Sequence, residues 1–131
     1  MHSRHFSESE LTCKCGCGLN AATPELLELI EACRAILNTP MVVRSATRCE
    51  KHNTASGGVK NSKHVSGNAL DFYVTGLAPA VVFKVLKSWH EAGRLPQLGG
   101  IGLYDWGVHV DTFHAPDGHL RSWDYRKEKK R

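Results

Sequence analysis

No apolar run in this sequence approaches the roughly 20 residues needed to cross a membrane as a helix. There is no Gly-x-Ser-x-Gly for a serine hydrolase elbow and no Gly-Lys-Ser/Thr for a phosphate-binding loop. No internal repeat occurs, which removes solenoids and propellers. The run Gly99-Gly-Ile-Gly102 is glycine-rich, but no helix start follows it, so it does not read as a nucleotide cradle. Cys-x-x-Cys is also missing. The five cysteines, Cys13, Cys15, Cys17, Cys33 and Cys49, are odd in number and follow no apolar leader. A disulfide framework is therefore disfavoured. Cys13-Lys-Cys-Gly-Cys17 reads as reduced thiols in a loop, with a structural metal or an optional disulfide, for example using Cys33 and Cys49 with one loop thiol, as the alternative. The opening residues, Met1-His-Ser-Arg-His-Phe-Ser-Glu8, lack the apolar core of a secretory signal. The expectation is a protein made without one, which stays in the cell or leaves by another route.

What is present fits one domain. The chain has 131 residues, 41% hydrophobic and 23% charged, enough to bury a core. Net charge is +4, and much of the excess sits in a basic tail, Arg126–Arg131. Such a tail reads as a solvated end, with affinity for a polyanion such as nucleic acid or an anionic cell wall as the alternative. Residues 1–22 form an irregular, Cys-rich lead-in with a short helical turn around Ser7–Leu11. Thr23-Pro24-Glu25 starts a helix, with threonine as cap, proline in the first turn and glutamate near the positive end. Its apolar stripe of Leu26, Leu27, Ile30, Cys33 and Leu37 runs until Pro40. Met41–Arg44 reads as a buried strand. Residues 45–67 are a long polar loop, and loops of that length are usually functional or disordered. Asn68–Val74 alternates like a strand. Leu77–Ala92 reads as a second amphipathic helix with Val81, Val82, Val85, Leu86 and Trp89 inward. Gly99–Tyr104 and Val108–Thr112 read as a hairpin over an Asp105-Trp106-Gly107 turn. Leu120–Tyr125 adds an edge strand. The order is not a βαβ alternation, so the fold class expected is α+β with an antiparallel sheet.

The chemistry gathers in two stretches. Ser62-Lys-His-Val-Ser-Gly-Asn-Ala-Leu-Asp71 offers an imidazole and a carboxylate, with Gly67 between them to turn the chain. His64 and Asp71 are both good zinc ligands, and a catalytic zinc site needs a third protein ligand with one open position. Val108-His-Val-Asp-Thr112 supplies the obvious one, His109. Other histidines compete for that role: His2, His5, His90, His114 and His119. Arg48 follows a strand end and precedes the loop that carries His64. A guanidinium there suits a clamp on a substrate carbonyl or carboxylate.

Taken together, Val43-Arg-Ser-Ala-Thr-Arg48, His52-Asn53, Gly57-Gly58, Ser62-x-His64-x-x-Gly67-x-Ala69-x-Asp71, Gly100-x-Gly102-x-Tyr104 and His109-Val-Asp111-Thr112 resemble the M15 family of zinc peptidases. The likeness extends to the lead-in and the first long helix. It is nearest to the small phage and bacterial enzymes related to D-alanyl-D-alanine carboxypeptidases. The resemblance implies the α+β fold shared with the hedgehog signalling domain, a Zn2+ ion held by His64, Asp71 and His109, and peptidoglycan peptides as substrate. It implies Arg48 and Ser62 as substrate-binding groups, Arg48 also aiding the transition state. Many relatives carry an acidic residue three positions before the last ligand; here that position is Trp106. Asp105, one residue further back, and Asp111, on the same strand face as His109, both remain open as the proton acceptor. The resemblance implies action at the bacterial cell wall; the missing secretory signal suits a phage or prophage lysis protein released through membrane holes, or a virion component, and no nucleic-acid partner is expected. A non-catalytic zinc-binding interaction domain on the same fold is the alternative.

Overall fold

Residues 2–49, 53, 64 and 66–127 are described by a computed structural model of the chain. Much of the polar loop, including His52, Gly57, Gly58 and Ser62, lies outside the described residues, as do tail residues 128–131. The elements run α1 (Glu8–Leu11), α2 (Pro24–Leu37), β1 (Val42–Ser45), β2 (Ala69–Tyr73), α3 (Pro79–Glu91), β3 (Gly100–Leu103), β4 (Val108–Asp111) and β5 (Arg121–Asp124). This is an α+β chain built on one five-stranded sheet, in the order β1-β2-β4-β3-β5.

Local chemistry sets the helix starts. At α1, Ser7 and Glu10 form a reciprocal capping box. Thr23 caps α2, accepting from the Leu26 N–H, with Pro24 in the first turn and left-handed Asn38 at the end. Both long helices pack on one face of the sheet and on each other. That face is apolar because strand side chains alternate: Leu70 and Phe72 from β2, Ile101 and Leu103 from β3, and Val108 and Val110 from β4 all point into the core. They meet Leu26, Leu29, Ile30 and Cys33 of α2 and Val82 and Leu86 of α3. Each large side chain buried there contributes about 1.5–3 kcal/mol.

Several expectations need correcting. Cys33 sits in this apolar core, so it serves packing and is not grouped with the other cysteines. Val81 and Trp89 are exposed, because the face of α3 that meets the sheet runs through Val82 and Leu86. β1 is not a buried strand: it lies at the sheet edge and its Val42 is exposed. Nor is the sheet wholly antiparallel. β5 pairs in parallel with β3. After β4 the chain loops back, and the Arg121 N–H bonds the Gly99 carbonyl, so β5 begins beside the start of β3 and runs with it. No described helix is long and apolar enough to cross a membrane.

The opposite face of the sheet is polar and carries two rows across the strands. Ser45, Asp71, His109, Gly102 and Trp123 stand in register in one row. Ala69, Asp111, Gly100 and Arg121 form the next. The two glycines explain themselves here. A Cβ at Gly102 would overlap the Trp123 indole, and one at Gly100 would overlap Arg121 and the Asp111 carboxylate. Side chains from β5 therefore lie flat over β3 and reach β4.

Gly102→Ala should displace the indole and cost about 1–3 kcal/mol through overpacking. The checks are denaturant unfolding and the Trp fluorescence maximum. An unchanged midpoint with unchanged fluorescence would show that the indole does not need this gap.

Candidate metal centre

Three side chains converge above the polar face. Asp71 is central on β2, and His109 is its direct cross-strand partner on β4. His64 arrives from the loop. Gly67 makes this approach possible: its φ is +75°, its N–H bonds the His64 carbonyl, and a Cβ would overlap the Ala21 carbonyl. Thr23, the cap of α2, donates its N–H to the Gly67 carbonyl at 3.1 Å, so the turn is tied to a helix start.

The geometry around Asp71 is specific. His64 Nε2 lies 3.1 Å and His109 Nδ1 2.8 Å from the same oxygen, Asp71 Oδ1. One ligand atom from each of the three residues lies within 4.8 Å of the others. The far nitrogens are held too. His64 Nδ1 is 2.7 Å from the Ala46 carbonyl, which calls for an N–H there and turns Nε2 toward Asp71. His109 Nε2 is 2.9 Å from Asp111 Oδ2. Carbonyl and carboxylate partners of this kind fix the orientation of metal-ligating histidines. Two imidazoles and a carboxylate are a donor set that suits zinc, so the residues present fit such an ion. His2, His5, His90, His114 and His119 are not in the group. His5 bonds Glu31, and His90 faces the Leu95 carbonyl.

Electrostatics follow from the same contacts. Burial works against charge on His109, but hydrogen bonds to Asp111 and Asp71 outweigh it and raise its pKa to about 9. Burial likewise opposes the Asp71 charge, and the bonds from His109 and His64 overcome it, holding this carboxyl well below the usual range. Without a metal, His109 thus carries a proton between two carboxylates. His64, Asp71 and His109 would have to hold a cation at the expense of that proton, so binding would compete with protonation.

Arg48 stands on the other side of Asp71. Its Nη2 is 3.3 Å from Asp71 Oδ2, its Nε donates to Ser45 Oγ at 3.1 Å, and its Nη1 donates to Asn53 Oδ1 at 3.3 Å. The Arg48 N–H also bonds the His64 carbonyl. The two carboxylates flanking His109 are placed differently from each other. Asp111 is fully buried and accepts from Arg121 Nη2 at 2.6 Å and the Phe113 N–H at 3.0 Å, besides its bond to His109. Its contact is with Nε2, the ring nitrogen turned away from Asp71. Asp105 is exposed and accepts the Lys127 N–H at 3.1 Å. Trp106 stacks on Tyr104 with centroids 4.9 Å apart, under the Arg44 guanidinium. Ser62 lies outside the described residues.

Sequence reasoning gave no role to Asn53, Tyr104, Arg121 or Trp123. Trp123 lies 5.3 Å from the His109 ring and donates its indole N–H to the Tyr104 hydroxyl at 2.8 Å. Burial, and then the Asp71 charge, raise the Tyr104 pKa, so the phenol keeps its proton. The available signal was the spacing of two: Gly100-x-Gly102 on one strand is the complement of Arg121-x-Trp123 on another.

None of the curated proteins matches this chain. A family profile described as Peptidase M15 matches residues 4–111, a span that takes in Arg48, His64, Asp71, His109 and every strand but β5. With most of its length matched, the chain belongs to the Peptidase M15 family, a family of peptidases.

Proposed function

We propose that the chain is a zinc-dependent peptidase that cleaves peptidoglycan stem or cross-bridge peptides at the bacterial cell wall, as a phage or prophage lysis enzyme. The observation that carries the peptidase reading is the convergence of His64 Nε2 and His109 Nδ1 on one oxygen of Asp71, in a chain of this family. His64, Asp71 and His109 would hold the ion. Zinc in that position supplies a Lewis acid that polarises a peptide carbonyl and acidifies water.

The chain's own residues do the rest. Arg48 is braced by Ser45 and Asn53, so its guanidinium is pre-set before substrate arrives. It would receive the developing oxyanion, or a terminal carboxylate, by charge-assisted hydrogen bonds. Tyr104, held by Trp123 and kept protonated, would donate from its hydroxyl to the substrate. Asp111 would orient His109 rather than meet substrate, since its oxygens already serve His109, Arg121 and the Phe113 N–H. Asp105 faces the tail and would stay out of the chemistry.

One observation favours a second reading, a non-catalytic zinc-binding interaction domain. Trp106 occupies the position where the resemblance expects an acidic residue, while Asp111 contacts His109 Nε2 and Asp105 accepts the Lys127 N–H. A zymogram on purified cell wall, with and without chelator, separates the two. Chelator-sensitive clearing supports the peptidase. Metal binding without clearing supports the interaction domain.

His64→Ala and His109→Ala should each lower bound zinc by about one ion per chain. Full stoichiometry in both variants by elemental analysis would sink the ligand assignment.

Arg48→Lys keeps the charge but loses the braced fork. The loss in kcat/KM should reach about 100-fold, with a far smaller change in unfolding free energy. Equal losses in activity and stability would make Arg48 a structural residue.

Asp111→Asn should weaken metal affinity by about 10–100-fold through loss of His109 orientation. Asp105→Asn should leave both affinity and hydrolysis near wild type. Chelator competition and peptide-release assays check both, and the reverse pattern would restore Asp105 as proton acceptor.

A further inference from the structure

Four of the five cysteines meet at a second place. Cys13, Cys15 and Cys17 come from the lead-in loop and Cys49 from the segment after β1, and their sulfurs lie within 4.8 Å of one another. The separations are 3.4 Å for Cys13–Cys15, 3.6 Å for Cys15–Cys49 and 3.8 Å for Cys13–Cys49. A disulfide needs about 2.05 Å. Four sulfurs at about 2.3 Å from a central zinc ion stand about 3.8 Å apart along the edges of the tetrahedron. The observed spacing is close to that edge.

Packing does not account for this convergence. Cys15 and Cys17 are exposed and Cys49 is half-buried; only Cys13 is buried. Surface thiols gain little from burial, and S–H groups are weak donors. A shared cation supplies the missing attraction. The loop is also built for it. Gly16 and Gly18 take left-handed φ values of +88° and +83°, so the chain turns after Cys15 and again after Cys17. The Cys13 N–H closes the loop on the Leu19 carbonyl at 2.7 Å, and the Cys49 N–H points to Cys13 Sγ at 3.4 Å.

We propose that Cys13, Cys15, Cys17 and Cys49 form a closed tetrathiolate zinc site, separate from the His64, Asp71 and His109 group. A four-cysteine site has no open position, so its role is structural. Its place in the chain says what it holds. Cys49 follows Arg48, the residue whose guanidinium touches Asp71. Next to it, the Thr47 N–H bonds the Leu11 carbonyl and Thr47 Oγ1 accepts the Ala21 N–H. The ion would clamp the lead-in loop to the segment that carries Arg48. The proposal does not depend on catalysis at the first site.

The test starts with protein purified under reducing conditions. Elemental analysis should find about two zinc ions per chain in the wild type and about one in the His64→Ala/His109→Ala double variant. Cobalt substituted into that double variant should give the thiolate-to-cobalt charge-transfer band and strong tetrahedral ligand-field bands. A nitrogen and oxygen site gives no such charge transfer, so the two sites are told apart. An organomercurial titrated into wild-type protein should release one zinc, a readout that needs no folded variant. Cys15→Ser/Cys17→Ser should lose the charge-transfer band. A double histidine variant free of zinc, or a disulfide joining any of these four cysteines in freshly purified protein, would overturn the proposal.

Discussion

The Asp71 carboxylate is the interaction on which the polar face depends. One oxygen receives both imidazoles and the other receives the Arg48 guanidinium. Burying a charge is costly unless it is paired and hydrogen-bonded. Asp71 meets that condition only because β4, the segment after β1 and the His64 loop each deliver a partner to it. Partners in turn have partners: the Ala46 carbonyl behind His64, Asp111 behind His109, Arg121 behind Asp111, and Ser45 and Asn53 beside Arg48. A chain of pairings this complete holds each ring at one angle. That pre-organisation is what a metal centre requires of its protein.

The sheet makes the centre possible by being different on its two faces. Strand alternation sends Leu70, Phe72, Val108 and Val110 to the helices, and their neighbours Asp71, His109 and Asp111 to the other side. The apolar face supplies the stability that a cluster of buried charges does not. On the polar face, β3 carries glycines where a side chain would stand, and β5 fills the space with Arg121 and Trp123. The parallel pairing of β5 with β3 is thus what brings a second layer of support to His109.

Arg48 joins the two halves of the molecule. Its guanidinium belongs to the Asp71 group, while its neighbours Thr47 and Cys49 are tied to the lead-in. The N-terminal segment, whose described residues add no strand to the sheet, therefore bears on the position of the Arg48 side chain beside Asp71. Loops place functional groups well only when something rigid holds them, and here both a helix cap at Thr23 and the cysteine cluster adjoin the loops concerned.

By itself the sequence determined the element order and the starts of α1 and α2, since Ser7 with Glu10 and Thr23 with Pro24 are local signals that need no distant partner. It also carried the hairpin and the pairing of His64 and Asp71 around Gly67, because turns and strand alternation are short-range. Tertiary structure alone decided the rest. The inward side of α3 depended on which stripe met the sheet, and periodicity offered more apolar positions than the core could take. The roles of Arg121 and Trp123 depended on a parallel pairing between strands joined by residues 104–120, a connection longer than the dozen or so residues that parallel strands need. The gathering of Cys49 with Cys13, Cys15 and Cys17, and the exclusion of Cys33, depended on contacts between segments far apart in the chain. Spacing along a sequence records which residues are neighbours in a turn or strand; it does not record which loops meet when a sheet closes over its core.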